Sequence, residues 1–256
     1  MSAHPISEKF AAFARLHVPG QPLILFNVWD AGSAAAVERA GAQALATGSW
    51  SVASAHGHHD AEGLPLALAL ANAARIAGAT RLPVTIDFEG GYAADPMQAA
   101  ANVAALAATG AIGCNFEDQV IGASSRTLHP VADQAARLRA IRKATGADFF
   151  INARTDIFLA APAEAHDRAM VDAAIERALA YADAGASGLF VPGLADLKLL
   201  EKVCKGSPLP VNFMAFPGAP MAAQVALTGV ARISHGPGPY RLAMKALEDA
   251  ARAVLG

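Results

Sequence analysis

A short cassette recurs along the chain: a helical run, a glycine, one or two small residues, then an apolar strand. It appears as Ala40-Gly41-Ala42 before Ala44–Thr47, Thr109-Gly110-Ala111 before Ile112–Phe116, and Thr145-Gly146-Ala147 before Phe149–Ala153. It returns as Ala184-Gly185-Ala186 before Gly188–Val191 and as Thr228-Gly229 before Val230–Ser234. Glycine takes the left-handed conformation that ends a helix, and the chain turns at once into a strand. Further strands read at Leu23–Val28, Pro83–Asp87 and Leu209–Phe213. The total is roughly eight, the number a closed barrel of βα units needs.

Helical patterns fill the intervals: Ala31–Ala40, Leu66–Ala77, Pro96–Ala108, Ala132–Ala144, Glu164–Ala184, Ala195–Lys205, Met221–Leu227 and Tyr240–Leu255. Strands alternating with helices imply a parallel sheet. The fold class read from the chain is therefore α/β, a (β/α)8 TIM barrel spanning residues 1–256 as one domain, with a short leading helix before Arg15. No Gly-x-Gly-x-x-Gly follows the first strand and no Walker loop is present, which sets aside the common nucleotide-binding sheets.

Composition narrows the partners. The chain is 54% hydrophobic and 16% charged with a net charge of −2, as expected of a packed globular protein. It has no basic stripe for nucleic acid. Its apolar stretches are broken well before the roughly 18 residues of a membrane span. Two cysteines, Cys114 and Cys204, give neither a disulfide framework nor metal spacing, and a cytoplasmic location is expected.

In such barrels the chemistry sits at the C-terminal ends of the strands. Those ends carry Asn27-Val28-Trp29-Asp30, Gly48-Ser49-Trp50, Asp87-Phe88-Glu89, Asn115-Phe116-Glu117-Asp118, Asn152-Ala153-Arg154, Asn212 and Ser234-His235. Strand periodicity is two. Thr85, Asp87 and Glu89 therefore share the inward face with Asn115 and Glu117 of the next strand, while Ile86, Phe88, Cys114 and Phe116 face the helices. Asp87, Glu89 and Glu117 should converge. Three carboxylates crowd together at neutral pH only with a counter-charge, for which Mg²⁺ is the simplest choice. Arg154 adds a fork suited to a substrate carboxylate, and Gly48-Ser49 offers backbone N–H groups to an anion. A structural alternative makes Glu117 and Arg154 an ion pair. His56, His58 and His59 match no zinc motif. Cys114 reads as a packed core thiol. Asp30 reads either as a ligand or as a helix cap, and His235 either as a ligand contact or as part of a shaped loop.

Taken together, Asn27-Val28-Trp29-Asp30-Ala31-Gly32-Ser33, Asp87-Phe88-Glu89-Gly90-Gly91-Tyr92, Asn115-Phe116-Glu117-Asp118-Gln119 and Asn152-Ala153-Arg154-Thr155-Asp156 resemble the isocitrate lyase and phosphoenolpyruvate mutase superfamily. The resemblance implies a barrel whose eighth helix is exchanged with a neighbour in a homodimer or homotetramer. It implies Mg²⁺ held directly at Asp87, with Glu89 and Glu117 holding its waters and Asp60 nearby. It implies substrate binding by Gly48, Ser49, Trp50 and Arg154, with Asn212 and Ser234 lining the pocket, and catalytic roles for Asp60, Glu117 and Arg154. The loop Gln119–Pro130 departs from the family. It has neither the Lys-Lys/Arg-Cys-Gly-His segment of the lyases nor the Lys-Thr-Asn-Ser-like segment of the phosphonopyruvate enzymes, leaving Ser124, Arg126 and His129 as its polar contacts. Trp50, Tyr92 and Phe216 should shape the pocket. The expected activity is a Mg²⁺-dependent lyase or hydrolase cleaving a C–C bond, or less favourably a C–P bond, of a small 2-oxo or 2-hydroxy acid. The alternative is a catalytically silent binder of such an acid.

Overall fold

The five cassette glycines all take the left-handed conformation, with φ between +74° and +96°, and each releases the chain from a helix towards the next strand. A computed structural model describes residues 6–123 and 127–256. Eight strands form one parallel sheet: β1 (Leu23–Leu25), β2 (Leu45–Ala46), β3 (Val84–Asp87), β4 (Gly113–Glu117), β5 (Phe150–Arg154), β6 (Gly188–Phe190), β7 (Val211–Met214) and β8 (Arg232–Ser234). The order is β1-β8-β7-β6-β5-β4-β3-β2. A bridge between Val28 and Thr47, with the Val28 N–H donating to Ala46 O at 2.8 Å, brings the two ends together and nearly closes the barrel.

The helices are α1 (Ile6–Arg15), α2 (Ala31–Arg39), α3 (Ser49–Ala55), α4 (Leu66–Gly78), α5 (Pro96–Ala107), α6 (Val131–Thr145), α7 (Arg168–Asp183), α8 (Leu197–Gly206), α9 (Ala222–Ala226) and α10 (Gly238–Leu255). Aspartates start several of them. Asp95 accepts from Gln98 N at 2.8 Å ahead of Pro96, and Asp167 accepts from Met170 N at 2.9 Å. Asp30 proves to be a cap: it closes a reciprocal box with Ser33 at the start of α2. The expected helix at 164–184 is split into a single 3₁₀ turn, Ala163–Ala165, and α7, because Asp167 starts a new cap between them. Helix α3 was not expected. It begins directly after β2, where Gly48 offers no side-chain cap.

Residues facing out of the barrel, such as Ile86, Phe88, Phe116, Ile151 and Phe213, join the helices in one large core. A second cluster, Phe13, Leu23, Leu25, Ala44, Ala46, Ile112 and Phe150, fills the barrel floor beneath α1. Two close approaches make room inside. A Cβ on Gly113 would lie 2.4 Å from Phe150 O, and one on Gly188 would lie 2.8 Å from Asn152 Oδ1. One flank is uncovered. Ile24 and Phe26, which face outward from β1, are 45% and 41% exposed. Helix α10 keeps Leu242, Leu247, Val254 and Leu255 in solvent. Among the described residues, no helix is long and apolar enough to cross a membrane.

The floor depends on Phe13, which is fully buried and meets the Phe150 ring edge-on at 5.1 Å. Phe13→Ala is expected to cost about 3–5 kcal/mol, read from the urea midpoint at unchanged m-value.

Candidate active site

The mouth of the barrel opens into a cavity of about 380 Å³. Asp60, Asp87, Glu89, Glu117 and Arg154 all line it, with Gly48, Ser49 and Trp50 on one wall and Ser234 on another. The period-two reading of β3 and β4 is thus realised: both strands turn their acids into one space. Glu89 lies just beyond β3 with a left-handed backbone, φ +51°. That turn carries its side chain back over the barrel, where Glu89 Oε2 accepts from Glu62 N at 2.6 Å. Glu62 in turn accepts from Tyr92 N at 2.7 Å, tying the two loops together.

Asp87 is held on both oxygens. Ser49 N donates to Oδ2 at 3.0 Å and Asn115 Nδ2 donates to Oδ1 at 3.1 Å. The Ser49 N–H that the sequence offered to a substrate anion is here engaged by Asp87. The Asn115 carboxamide oxygen faces the other way and accepts from Asn152 Nδ2 at 2.8 Å and from Arg232 Nη2 at 3.3 Å. Arg232 has no accessible surface, and burial lowers its pKa while the Asp87 charge opposes that shift.

Arg154 is the other buried cation. Its Nη1 lies 2.9 Å from Glu117 Oε2, and its Nε and Nη2 donate to the two Asp156 oxygens at 2.5 and 2.8 Å. The ion pair weighed as a structural alternative therefore exists, and each of the three guanidinium nitrogens meets a protein carboxylate. Behind it, Asp118 accepts from Asp156 N, Arg177 Nη1 and Tyr181 OH at 2.9, 3.0 and 2.9 Å. Sequence reasoning missed this second tier. Asp118 and Asp156 each follow a recognised strand end, but their partner Arg177 lies far along the chain on α7.

Burial raises the pKa of every carboxyl facing the cavity for which a shift is resolved. Burial and then the Asp60 charge push Glu89 up to about 8. Burial pushes Glu117 well up against the pull of Arg154. Desolvation at the wall and the Asp87 charge raise Asp60. This is an oxygen-donor set with an excess of negative charge, and it fits a hard divalent cation. Among the described residues, no three Asp, Glu, His or Cys side chains come close enough to ligate one ion directly. That suits Mg²⁺, which keeps several waters and takes few direct carboxylates.

Several expected residues lie elsewhere. Asn212 is buried behind Ser234, whose hydroxyl donates to Asn212 Oδ1 at 3.2 Å, and it does not line the cavity. Tyr92 borders a smaller void behind Glu89. Phe216 is 38% exposed and does not line the cavity. His235 shapes the loop after β8, with its N–H on Asn27 Oδ1 at 2.8 Å. His56 turns its Nδ1 to Val52 O at 2.9 Å. Cys114 is a fully buried core thiol. Ser124 and Arg126 fall outside the described residues. Gln119 and Arg241 line the cavity without having been anticipated.

Residues 13–255 match the family model of phosphoenolpyruvate phosphomutase. The chain belongs to that family, within the isocitrate lyase and phosphoenolpyruvate mutase superfamily. A solved chain from Burkholderia cenocepacia J2315 with a provisional phosphonomutase designation is 51% identical, with a TM-score of 0.93 over 97% of this chain and 99% of that one. The 2-methylisocitrate lyase of Escherichia coli K12 is 30% identical over 80% of this chain and 73% of its own. A phosphonopyruvate hydrolase solved with oxalate and Mg²⁺ is 20% identical, with a TM-score of 0.84 over 96% of this chain and 86% of that one, and shares the fold. Relatives of this superfamily are thus lyases and hydrolases of small acids.

The raised Glu89 pKa has a consequence for stability. The folded state holds that proton at pH values where the unfolded chain has released it. The resulting stability is full below the ordinary glutamate range and is lost as pH rises through about 8. In EDTA, Glu89→Gln should show a smaller fall in melting temperature between pH 5 and pH 8 than the wild type, measured by calorimetry.

Proposed function

We propose that the protein is a Mg²⁺-dependent lyase or hydrolase that cleaves a C–C bond beside the oxygen-bearing carbon of a small 2-oxo or 2-hydroxy acid. The observation that carries this reading is the set of four carboxylates, Asp60, Asp87, Glu89 and Glu117, around one cavity at the C-terminal ends of the strands. Asp87 would hold the ion directly, and Glu89 and Glu117 would hold its waters. When bound, Mg²⁺ supplies a Lewis acid that favours an enolate-type charge on the substrate oxygen.

The chain's own residues do the rest. Asn115 and Ser49 fix the Asp87 carboxylate in one orientation before any ligand arrives. Arg154 keeps Glu117 from drifting through its ion pair at the cavity wall. Asp60 faces the cavity with a pKa above its ordinary value, which suits a group that gives or takes a proton during turnover. Gln119, at the start of the loop after β4, lines the cavity and would offer its amide to a substrate oxygen. The second reading, a silent 2-oxo-acid binder, draws on the loop's lack of the family's Cys or Lys. It keeps ligand binding and forms no product.

The reading extends to assembly. The bare outer face of β1, with Ile24 and Phe26, and the unpacked apolar side of α10 are complementary needs of one chain. Two copies exchanging α10 would cover both.

Oxalate, a mimic of the pyruvate enolate, should raise the melting temperature only when Mg²⁺ is also present. Asp87→Ala should remove that shift and weaken Mg²⁺ by about 100-fold. A wild type with no Mg²⁺-dependent oxalate shift would overturn the site. Product formation from a panel of 2-oxo acids separates the enzyme from the silent binder. Leu247→Glu should convert the assembled form to monomers in light scattering, and an unchanged mass would sink the helix exchange.

A further inference from the structure

The turn that carries Glu89 is strained. Glu89, Gly91 and Tyr92 all take left-handed backbone, with φ of +51°, +80° and +58°, and Glu89 and Tyr92 each carry a Cβ that opposes that conformation. Such strain persists only where the surroundings over-determine it, and it marks functional turns. Side chains hold this turn from behind. Arg137 Nη2 donates to Gly90 O and, at 2.9 Å, to Ala93 O. Asn102 Nδ2 donates to Gly91 O at 2.8 Å, and Glu62 accepts from Tyr92 N at 2.7 Å.

Arg137 is the member of this set that reaches a second acid. It stands on α6, outside the barrel, yet it is only 2% exposed, with its guanidinium over the Phe116 ring at 4.6 Å from the centroid. Neutral amides would satisfy the Gly90 and Ala93 carbonyls without burying a charge. The guanidinium adds a rigid fork that serves a third partner. Its Nη1 donates to Gln134 Oε1 at 2.7 Å, and Gln134 Nε2 donates to Glu117 O at 2.9 Å. Arg137 has only donors, so the Gln134 oxygen must face it and the Gln134 NH₂ must face β4. The two side chains lie one turn apart on the same face of α6. In front, the Glu117 N–H donates to Glu89 O at 2.9 Å. One circuit therefore joins the backbones of both acids, directly on the barrel side and through α6 on the outer side.

We propose that Gln134 and Arg137 are positioning residues for the Mg²⁺ site: they lock the backbones of Glu89 and Glu117 so that both carboxylates face one metal hydration shell. The proposal rests on the Mg²⁺ reading given above. Neither residue lines the cavity, and both act through the acids they hold. Carboxylates that grip an ion through its waters have to be held to within about 0.5 Å, because no direct bond to the metal corrects their position. Without Arg137 the turn loses the donor to two of its carbonyls, Glu89 relaxes out of the left-handed region, and its carboxylate withdraws from the cavity.

Calorimetric titration of the full chain with MgCl₂ alone tests this, at a temperature where circular dichroism shows each variant folded. Arg137→Gln should weaken Mg²⁺ about 10-fold in the wild-type background. In the Glu89→Gln background the same change should cost about threefold or less, because the carboxylate that Arg137 places is already gone. Arg142 is the matched control. It lies farther along α6 and donates to the carbonyls of Gly185 and Phe149 at 2.8 Å, at the other end of the strands from the acids. Arg142→Gln should lower the melting temperature and leave Mg²⁺ affinity within about threefold of wild type. Equal losses from Arg137→Gln in the two backgrounds overturn the proposal, as does unchanged affinity or an equal loss in Arg142→Gln. If Arg137→Gln does not fold, Arg137→Lys, which keeps the buried cation and loses the fork, answers the same comparison between backgrounds. A wild type that binds no Mg²⁺, or a Glu89→Gln variant that binds it as tightly as wild type, would instead bring down the underlying site and the proposal with it.

Discussion

A guanidinium with no accessible surface stands inside the barrel, and the arrangement above it answers that charge. Among the described residues, Arg232 meets no carboxylate directly. It bonds to Ser234 Oγ at 3.2 Å and to Asn115 Oδ1 at 3.3 Å. An uncompensated charge in a low-dielectric interior is costly. Asn115 relays the compensation, because its carboxamide presents an acceptor to Arg232 and a donor to Asp87. With Asn152 and Arg232 both donating to the oxygen, the amide can turn only one way, and Asp87 inherits a fixed donor. The residue read as the direct Mg²⁺ ligand is therefore oriented from below.

A second buried chain runs from Glu117 through Arg154 and Asp156 to Asp118, Arg177 and Tyr181. Each acid has a cation or a hydroxyl, and the chain reaches from the cavity floor to α7. Such networks gain more from being complete than from any one bond. Here the completed network holds β4 and β5 in register where Glu117 lies opposite Arg154. It also means that Arg154 shapes the cavity more than it supplies free positive charge.

Much of this was legible in the chain. The cassette glycines marked where helices yield to strands, and the alternation in β3 and β4 put Asp87, Glu89 and Glu117 on one side. Both signals are local, set by backbone geometry and by which side chains can face an apolar layer. Three features were not legible. Helix α3 follows β2 without a side-chain cap, so its start carried no local mark. Arg232 shares the inward face with Ser234, but its complete burial depends on seven other strands. Asn212 sits at a strand end, yet the seal made by Ser234 keeps it away from the cavity.

The sequence by itself determined the alternation of strand and helix, the parallel barrel and the identity of the acids at its mouth, because periodicity and turn chemistry act over a few residues, and its strand-end motifs carried the resemblance to the family. Only the tertiary structure decided how those acids are partnered. Arg154 proved committed to Glu117 and Asp156, Arg232 to the Asp87 relay, and Arg241 to the Trp50 face. Charges on different strands find one another according to register, burial and distance, none of which is written in the neighbouring residues.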